Sequence, residues 1–225
     1  MSNVLFEKYK IYSILKKVIF MNNNKKAVLV AAGEYHNEYQ YNPDDYIIAI
    51  DGGYDHLINQ GIAPDLLIGD LDSIKSQIKP SQQLIKLPKE KDDTDSLFAL
   101  KEAINRGFNS FSLYGFLGNK FNHSLANIQC LMYLKKEGYN GVIYFDNECY
   151  EILNNEIKTF NKAIGNISIF SLSDSSIVTL KGLKYPLDKK ELTSSFPLGI
   201  DNEFIINKKA SVEVHQGYVL IIYNN

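Results

Sequence analysis

Short apolar runs alternate with longer amphipathic stretches from residue 25 to about residue 146. The apolar runs cover residues 27–31, 46–50, 66–68 and 111–114, and glycine or aspartate follows each within two residues. Continuous apolar runs of this length are typical of parallel strands that are covered on both faces. The stretches 94–106 and 122–137 carry apolar residues at helical spacing, and each is followed by a glycine. This pattern predicts an α/β domain with a mainly parallel, doubly wound sheet.

The helical period disappears after about residue 147, and strand-like alternation replaces it. Short strands are predicted at 167–170, 177–180, 204–206, 212–214 and 218–223. Gln216-Gly217 precedes the last of these runs and resembles a hairpin turn. We therefore expect an α/β domain over residues 25–147, followed by a smaller all-β domain over residues 148–225 that resembles a sandwich or barrel.

Residues 1–24 differ from both predicted domains, because lysines are scattered among their apolar residues. A secretory signal would keep its apolar core free of lysine, which makes that interpretation poor. A basic amphipathic helix that touches a membrane is one alternative. We favour an accessory extension, or a natural start at Met21, and the role of the segment stays open.

The composition is that of an ordinary globular protein, with 225 residues of which 45% are hydrophobic and 22% charged. The formal net charge of -2 argues against a nucleic-acid partner, which usually requires a basic surface. No run approaches the roughly 20 apolar residues that span a bilayer. The two cysteines, Cys130 and Cys149, are expected to be reduced thiols. We expect a cytoplasmic protein with no membrane partner.

Two carboxylates, Asp70 and Asp72, follow the predicted strand 66–68 directly. Residues i and i+2 of an extended or turning segment project to the same side, so both can reach one ion. Carboxylates at a strand end suit Mg²⁺, which accepts one or two of them together with phosphate and water. The alternative is a solvated turn in which Asp and Ser only cap the next element.

A second acidic cluster, residues 91–95, lies immediately before the first predicted long helix. Acidic residues there also suit the helix dipole, which is the purely structural interpretation. Adjacent carboxylates nevertheless repel one another unless a cation offsets them. Asp95, and with less support Asp92, could complete a metal site that Asp70 and Asp72 begin. Lys91 could contact a phosphate.

Two glycine-containing loops follow other predicted strands. Asp51-Gly52-Gly53 would let the backbone approach a ligand closely. The loop 115–123 carries Gly118, Lys120 and His123 at the start of the second long helix, where backbone N–H groups can bind an anion. This loop lacks the Walker A pattern.

The order of these motifs resembles the thiamine pyrophosphokinase family. The resemblance covers residues 25–225 and also includes segments 181–187 and 199–203 of the β half. It implies an Mg²⁺-dependent enzyme that transfers diphosphate from ATP to the thiamine hydroxyl, with AMP as the second product. It further implies a homodimer with thiamine between the α/β domain of one subunit and the β domain of the other.

The resemblance also implies roles for individual residues. The magnesium and diphosphate-handling carboxylates would be Asp70, Asp72 and Asp95, with Asp92 as a further catalytic candidate. ATP would be surrounded by Asp51, Gly52, Gly53, Lys91, Thr94, Gly118, Lys120 and His123. Thiamine would contact Asn122, Asp201 and Asn202.

The chain departs from the family pattern in the substrate regions. Lys120 stands where the family usually has arginine, Asn122 where it has aspartate, and Asp201 where it has serine. Lys120 keeps the charge but loses the bidentate fork of arginine. Two alternatives therefore stay open. One is a related diphosphokinase that acts on a hydroxymethyl pterin, and the other is a non-catalytic protein that binds thiamine or its diphosphate.

Overall fold

The computed structural model describes residues 25–35, 42, 44–90, 92–118, 120–161 and 163–224. The expectations for residues 1–24 and for Lys91 lie outside this part. The strands are β1 (Lys26–Val30), β2 (Tyr46–Ile50), β3 (Leu66–Gly69), β4 (Leu84–Lys86), β5 (Ser110–Tyr114), β6 (Asn140–Phe145), β7 (Glu148–Asn154), β8 (Ile157–Phe160), β9 (Asn166–Ser171), β10 (Ser175–Lys181), β11 (Leu187–Thr193), β12 (Asn202–Glu203), β13 (Ala210–Gln216) and β14 (Tyr218–Asn224). The helices are α1 (Gly53–Asn59), α2 (Asp95–Asn105) and α3 (Phe121–Lys136).

Ten strands form one large mixed sheet in the order β12-β9-β14-β7-β6-β5-β1-β2-β3-β4. The pairs from β6 to β4 are parallel, whereas the pairs from β12 to β6 are antiparallel. The expected mainly parallel sheet therefore describes only one end of a mixed sheet. Because β1 pairs in parallel with both β2 and β5, the loops that follow these three strands leave the sheet at the same end, the carboxyl end of the strands.

The parallel end of the sheet is buried on both faces. Val28 and Val30 of β1 pack with Tyr54 and Leu57 of α1 on one face. On the other face, Leu29 belongs to the core that contains the buried residues of α2 and α3. Alternate residues of a strand point to opposite faces, so a strand buried on both must be apolar throughout. This explains the continuous apolar runs.

The two long helices begin and end close to the predicted positions. Thr94 is the N-cap of α2, and its Oγ1 accepts a hydrogen bond from the Leu97 N–H at 3.2 Å. Gly107 has φ +90° after α2, which a residue with a side chain rarely adopts. The predicted buried face of α3 is partly wrong, because Leu125 is 52% exposed. The seven-residue helix α1 was not predicted.

Two predictions in the β half are wrong. Gln216-Gly217 is not a hairpin turn, because β13 pairs with β10 and β8 while β14 pairs with β7 and β9 of the other sheet. The chain crosses between sheets there, with Gly217 at φ +83°. Residues 204–206 do not form a strand. Phe204 makes an isolated bridge with Leu183, and β12 ends before it.

Every element after β6 in the described chain is a strand, as expected for the C-terminal half. Four of these strands nevertheless extend the sheet of the N-terminal half, and the other four form a second sheet in the order β11-β10-β13-β8. A separate core lies between the sheets, with Ile169 and Ile221 from the large sheet and Val178 and Val212 from the small one. The boundary at residues 147 and 148 stays a prediction.

Both cysteines are buried and free. Burial raises the pKa of the Cys130 thiol to about 11, although a hydrogen bond with Thr94 acts in the opposite direction. None of the helices that the structure describes is long and apolar enough to cross a membrane.

The packing of α2 against the large sheet leads to a stability prediction. Leu100 is fully buried between α2 and the sheet, so Leu100→Ala should lower the free energy of unfolding by about 2–5 kcal/mol, since it removes apolar contacts and leaves a cavity. Leu125→Ala is the matched control on an exposed helical site, with an expected change within about 0.5 kcal/mol. Urea unfolding followed by circular dichroism measures both. Equal losses would contradict the assigned core.

Candidate active site

A cavity of about 650 Å³ lies at the carboxyl ends of the parallel strands. The loops after β1, β2, β3, β4 and β5 contribute to it, together with the first turns of α2 and α3. Its lining side chains that can carry charge are Asp51, Asp70, Asp72, Lys89, Asp93, Asp95, Lys120 and His123. Ligands of open α/β sheets bind at this edge, so the cavity is the candidate active site.

Backbone pairing beyond β1 and β5 forms one wall of the cavity. The N–H of Ala31 donates to the Tyr114 carbonyl at 2.9 Å, and the N–H of Gly33 donates to the Gly115 carbonyl at 2.7 Å. A Cβ atom at Gly33 would collide with the carbonyls of Gly115 and Leu117. The glycine therefore lets two loops approach as closely as paired strands.

Asp51 connects the loop after β2 to the loop after β3. Its Oδ1 accepts a hydrogen bond from the Leu71 N–H at 3.4 Å. Gly69 has φ +152°, and a Cβ there would collide with the same carboxylate. Asp51 and Leu71 themselves have positive φ, at 46° and 70°. This tight contact positions the backbone from which Asp70 and Asp72 project.

Asp70 and Asp72 project from one loop, and Lys89 lies beside this loop. Asp70 Oδ1 accepts the N–H of Asp72 at 3.1 Å. Lys89 Nζ donates to Asp72 Oδ2 at 2.9 Å. The pKa of Lys89 is raised, first by this hydrogen bond with Asp72 and also by the charges of Asp72 and Asp70. An ammonium group therefore already neutralises part of this acidic loop.

Asp55 of α1 holds the other end of the same loop. Its carboxylate accepts backbone N–H groups from Lys75 at 2.9 Å and from Ser76 at 2.7 Å. Burial raises the pKa of Asp55, but the hydrogen bonds from Lys75 and Ser76 outweigh it and leave the pKa below its usual range. The loop 70–76 is thus fixed at one end by Asp51 and at the other by Asp55.

At the start of α2, the structure differs from the sequence expectation. Thr94 and Asp95 line the cavity, whereas Asp92 is exposed outside it and Asp93 lines it instead. The Asp93 carboxylate accepts a hydrogen bond from Lys101 Nζ at 2.6 Å. Thr94 caps the helix, the residue before it lies at the cavity, and the residue two before it is exposed to solvent.

The loop before α3 and the first turn of α3 contribute Gly118, Lys120 and His123 to the cavity, and their contact with ATP stays a prediction. The Gly118 N–H donates to Ser124 Oγ at 3.2 Å. Asn127 Nδ2 donates to the Phe116 carbonyl at 2.6 Å, which holds the loop against the helix. Asn122 is exposed and does not line the cavity.

Gly52 and Gly53 pack the protein rather than line the cavity. A Cβ at Gly53 would collide with the Val30 carbonyl, so the glycine lets α1 start directly against β1. A Cβ at Gly52 would lie 3.1 Å from the Ala32 Cβ. Neither glycine is among the lining residues. Both glycines allow close packing, and their predicted role at the nucleotide stays a prediction.

Asp201 and Asn202 lie far from the cavity, at β12. The Asn202 side chain is buried, and its Oδ1 accepts the Tyr185 N–H at 3.0 Å while its Nδ2 donates to the Tyr185 carbonyl at 2.8 Å. These bonds hold segment 183–187 against β12. Asp201 is exposed, and its N–H donates to Ser168 Oγ at 3.1 Å.

The cavity is strongly acidic. Five aspartates and two lysines line it among the described residues. Nevertheless, no group of three or more His, Cys, Asp or Glu side chains in the described chain is arranged to hold a metal ion. The expected three-carboxylate cluster is therefore not preformed. The donors are all oxygen atoms and fit Mg²⁺, which needs only one or two carboxylates when phosphate and water complete its shell.

The lining residues that sequence reasoning missed include Lys89, Asp93, Ser124 and Asn127. Ser124 and Asn127 are three residues apart on α3, so they share the helix face toward the loop. That spacing was visible in the sequence. The position of Lys89 depends on the pairing of β4 with β3, which the sequence did not reveal.

Comparison with known proteins agrees with this arrangement. The family model for the thiamin pyrophosphokinase catalytic domain matches residues 38–143, and the model for the thiamin pyrophosphokinase vitamin B1 binding domain matches residues 154–219. The chain belongs to the thiamin pyrophosphokinase family. A curated thiamine pyrophosphokinase of Bacillus subtilis (strain 168) is 30% identical over 189 residues, which are 78% of this chain and 85% of that protein.

Solved structures of the thiamin pyrophosphokinase family share the fold. The crystal structure of thiamine pyrophosphokinase from Bacillus subtilis superposes with a TM-score of 0.79 at 25% identity, covering 89% of this chain and 99% of that one. Yeast thiamin pyrophosphokinase gives a TM-score of 0.75 at 14% identity, with 94% and 90% covered. At 14% identity, the similarity to the yeast structure shows a shared fold and nothing more. All the lining residues lie inside the catalytic match except those at 31–33.

The anchor at Asp55 predicts a pH-dependent contribution to stability. Because its pKa is lowered in the folded chain, the ionised carboxylate stabilises the fold above its unfolded pKa of about 3.8. Asp55→Asn should therefore lower the unfolding free energy by a constant amount near neutral pH. That difference should shrink as the pH falls below about 4 through the lowered pKa.

Urea unfolding at several pH values measures this difference. Asp188→Asn, at an exposed carboxylate of β11, is the control and should change stability little at any pH. A difference for Asp55→Asn that stays constant down to pH 2 would contradict the proposed anchor.

Proposed function

We propose that this protein transfers diphosphate from ATP to the hydroxyl of thiamine, giving thiamine diphosphate and AMP, in an Mg²⁺-dependent reaction. The observation that carries the proposal is an acidic cavity, lined by Asp70 and Asp72 from one loop and by Asp95 from another. Membership of the thiamin pyrophosphokinase family supports the same reaction. A cytoplasmic location is part of the proposal, and the two free thiols are typical of a reducing compartment.

The cavity offers separate groups for a metal ion and for phosphate. Asp70, Asp72 and Asp95 are the candidates to hold Mg²⁺, one or two at a time. Bound Mg²⁺ would neutralise the triphosphate and orient it. Lys120 and the first turn of α3 also line the cavity, and a cation beside free backbone N–H groups favours an anion there. An acidic cavity could not bind ATP well without such neutralisation.

The proposed chemistry requires little covalent work from the protein. The thiamine hydroxyl oxygen attacks the β-phosphorus, a new P–O bond forms, and the bond from the β-phosphorus to the α,β-bridging oxygen breaks. AMP leaves with that oxygen, and the hydroxyl proton is lost. The side chains contribute positioning and charge neutralisation, which supply most of the rate in phosphoryl transfer. Thr94 supports this role by capping α2 at the cavity.

We further propose that the active protein is a homodimer in which a second subunit supplies the thiamine contacts. Asp201, the exposed thiamine candidate, lies at β12, five strand positions from β5. Strands are spaced about 4.8 Å apart, so β12 lies on the order of 24 Å from the nearest strand that borders the cavity. Asp201 could therefore not contact a substrate in the cavity of its own chain.

The surface around β12 also supports association. Tyr185, Ile200, Ile205 and Ile206 flank this edge strand, with exposed fractions of 57%, 55%, 39% and 73%. Several exposed apolar residues beside a sheet edge are typical of an interface between subunits. Asn202 would stabilise this interface surface indirectly, because its side-chain amide is hydrogen-bonded to the backbone of Tyr185.

The proposed function is tested by measuring AMP release with thiamine, ATP and Mg²⁺. Release that requires all three supports it. A protein that binds thiamine but releases no AMP would instead be a binding protein, which the altered loop at Lys120 and Asn122 left open. Offering thiamine and a hydroxymethyl pterin together separates the two diphosphokinase alternatives, and exclusive use of the pterin would overturn the substrate assignment.

The metal carboxylates lead to a mutational prediction. Asp70→Asn keeps an oxygen that can accept the Asp72 N–H but removes the negative charge. It should lower the rate of AMP release on the order of 100-fold or more, because several kcal/mol of charge stabilisation depend on the metal. Asp188→Asn, at an exposed carboxylate outside the cavity, should retain activity. Normal activity in Asp70→Asn, with an unchanged circular dichroism spectrum, would contradict this assignment.

A further inference from the structure

Among the described residues, Lys89 contacts the acidic loop 70–76 of the cavity directly. The N–H of Leu87 donates to the Gly69 carbonyl at 2.8 Å, so the chain leaving β4 runs beside the chain leaving β3. Two residues later, Lys89 lines the cavity, and its Nζ lies 2.9 Å from Asp72 Oδ2. Backbone pairing therefore brings the ammonium group to a carboxylate that is a candidate metal ligand.

This ion pair is easily broken. The side chains of Lys89 and Asp72 are 71% and 53% exposed. Exposed ion pairs are weak, since water and salt screen them and two flexible side chains must be ordered. The pair consequently adds little to the stability of the fold. Its position in the cavity, between the acidic loop and the space for substrate, is what distinguishes it from other surface pairs.

A cation at this position has two consequences for ligand binding. Asp70 and Asp72 are two residues apart in one loop, and the Lys89 ammonium group lies where it interacts with the charges of both. A divalent cation that binds Asp72 Oδ2 competes with the same ammonium group. Once displaced, the lysine still lies at the wall of a cavity with room for a polyphosphate, where a free ammonium group attracts phosphate oxygens.

We propose that Lys89 is an exchangeable counterion, which occupies Asp72 until the metal–nucleotide complex binds and then transfers its contact to the polyphosphate. The inference rests on the proposed function, because it takes Asp72 as a metal ligand. It assigns Lys89 two opposite effects. Lys89 weakens binding of a divalent cation alone and strengthens binding of the metal–nucleotide complex.

The experiment uses the full chain and two binding measurements that do not require turnover. The first is titration with Mn²⁺ alone, followed by the electron paramagnetic resonance signal of the free ion. The second is calorimetric titration with α,β-methylene ATP in excess Mg²⁺. Lys89→Met should bind Mn²⁺ more tightly by about two- to five-fold, the size expected for loss of an exposed ion pair. It should bind the nucleotide analogue more weakly, on the order of ten-fold.

Two variants separate a specific contact from a general loss of positive charge. Lys86→Met removes the same charge at an exposed position of β4 that does not line the cavity, and it measures the long-range effect alone. Lys89→Arg keeps the charge and should stay close to the unmodified chain in Mn²⁺ affinity. The proposal is supported when Lys89→Met raises Mn²⁺ affinity more than Lys86→Met does and also lowers affinity for the nucleotide analogue more than Lys86→Met does.

Equal behaviour of Lys89→Met and Lys86→Met overturns the proposal. Mn²⁺ binding by Asp72→Asn then shows whether the assignment of Asp72 as a metal ligand also fails. If it weakens Mn²⁺ binding while the two lysine variants agree, the metal assignment stands and only the exchange is wrong. If it leaves Mn²⁺ binding unchanged, Asp72 is not a ligand, and both the exchange and that part of the proposed function are overturned.

Discussion

The pairing of β1 with β2 on one side and with β5 on the other is the constraint on which the candidate site depends. Parallel strands end at the same edge, so the loops that follow them must meet there. The pairing continues past the strands, where Ala31 bonds to Tyr114 and Asp51 bonds to Ile68 through their backbones. Backbone hydrogen bonds that continue the sheet therefore border the cavity.

The second constraint is electrostatic. Five aspartates line one cavity, and their mutual repulsion opposes folding unless positive groups lie nearby. Two features of the chain offset this repulsion. Lysine side chains donate hydrogen bonds to Asp72 and Asp93. Asp95 lies in the first turn of α2, where the helix dipole favours a carboxylate. An acidic cavity that is only partly neutralised is suited to a divalent cation carried by a polyphosphate.

The candidate site could be predicted in part, since its motifs are local. A strand end followed by Asp70 and Asp72, and a capped helix start at Thr94, are read directly from the sequence. The orientation of single side chains could not be read in the same way. Whether Asp92 or Asp93 faces inward depends on the cap geometry of α2, and the place of Lys89 depends on a strand pair formed by residues almost twenty positions apart.

For the fold, the sequence by itself determined the buried strands β1, β2, β3 and β5 and the long helices, because apolar runs and helical spacing are local signals. It also determined that the C-terminal half is made of strands. Only the tertiary structure decided which sheet each strand joins. Adjacent strands β13 and β14 enter different sheets, and β7 continues the sheet of the other half. Strand partners are chosen by long-range hydrogen bonds and by the burial of whole faces, neither of which is encoded in any short segment.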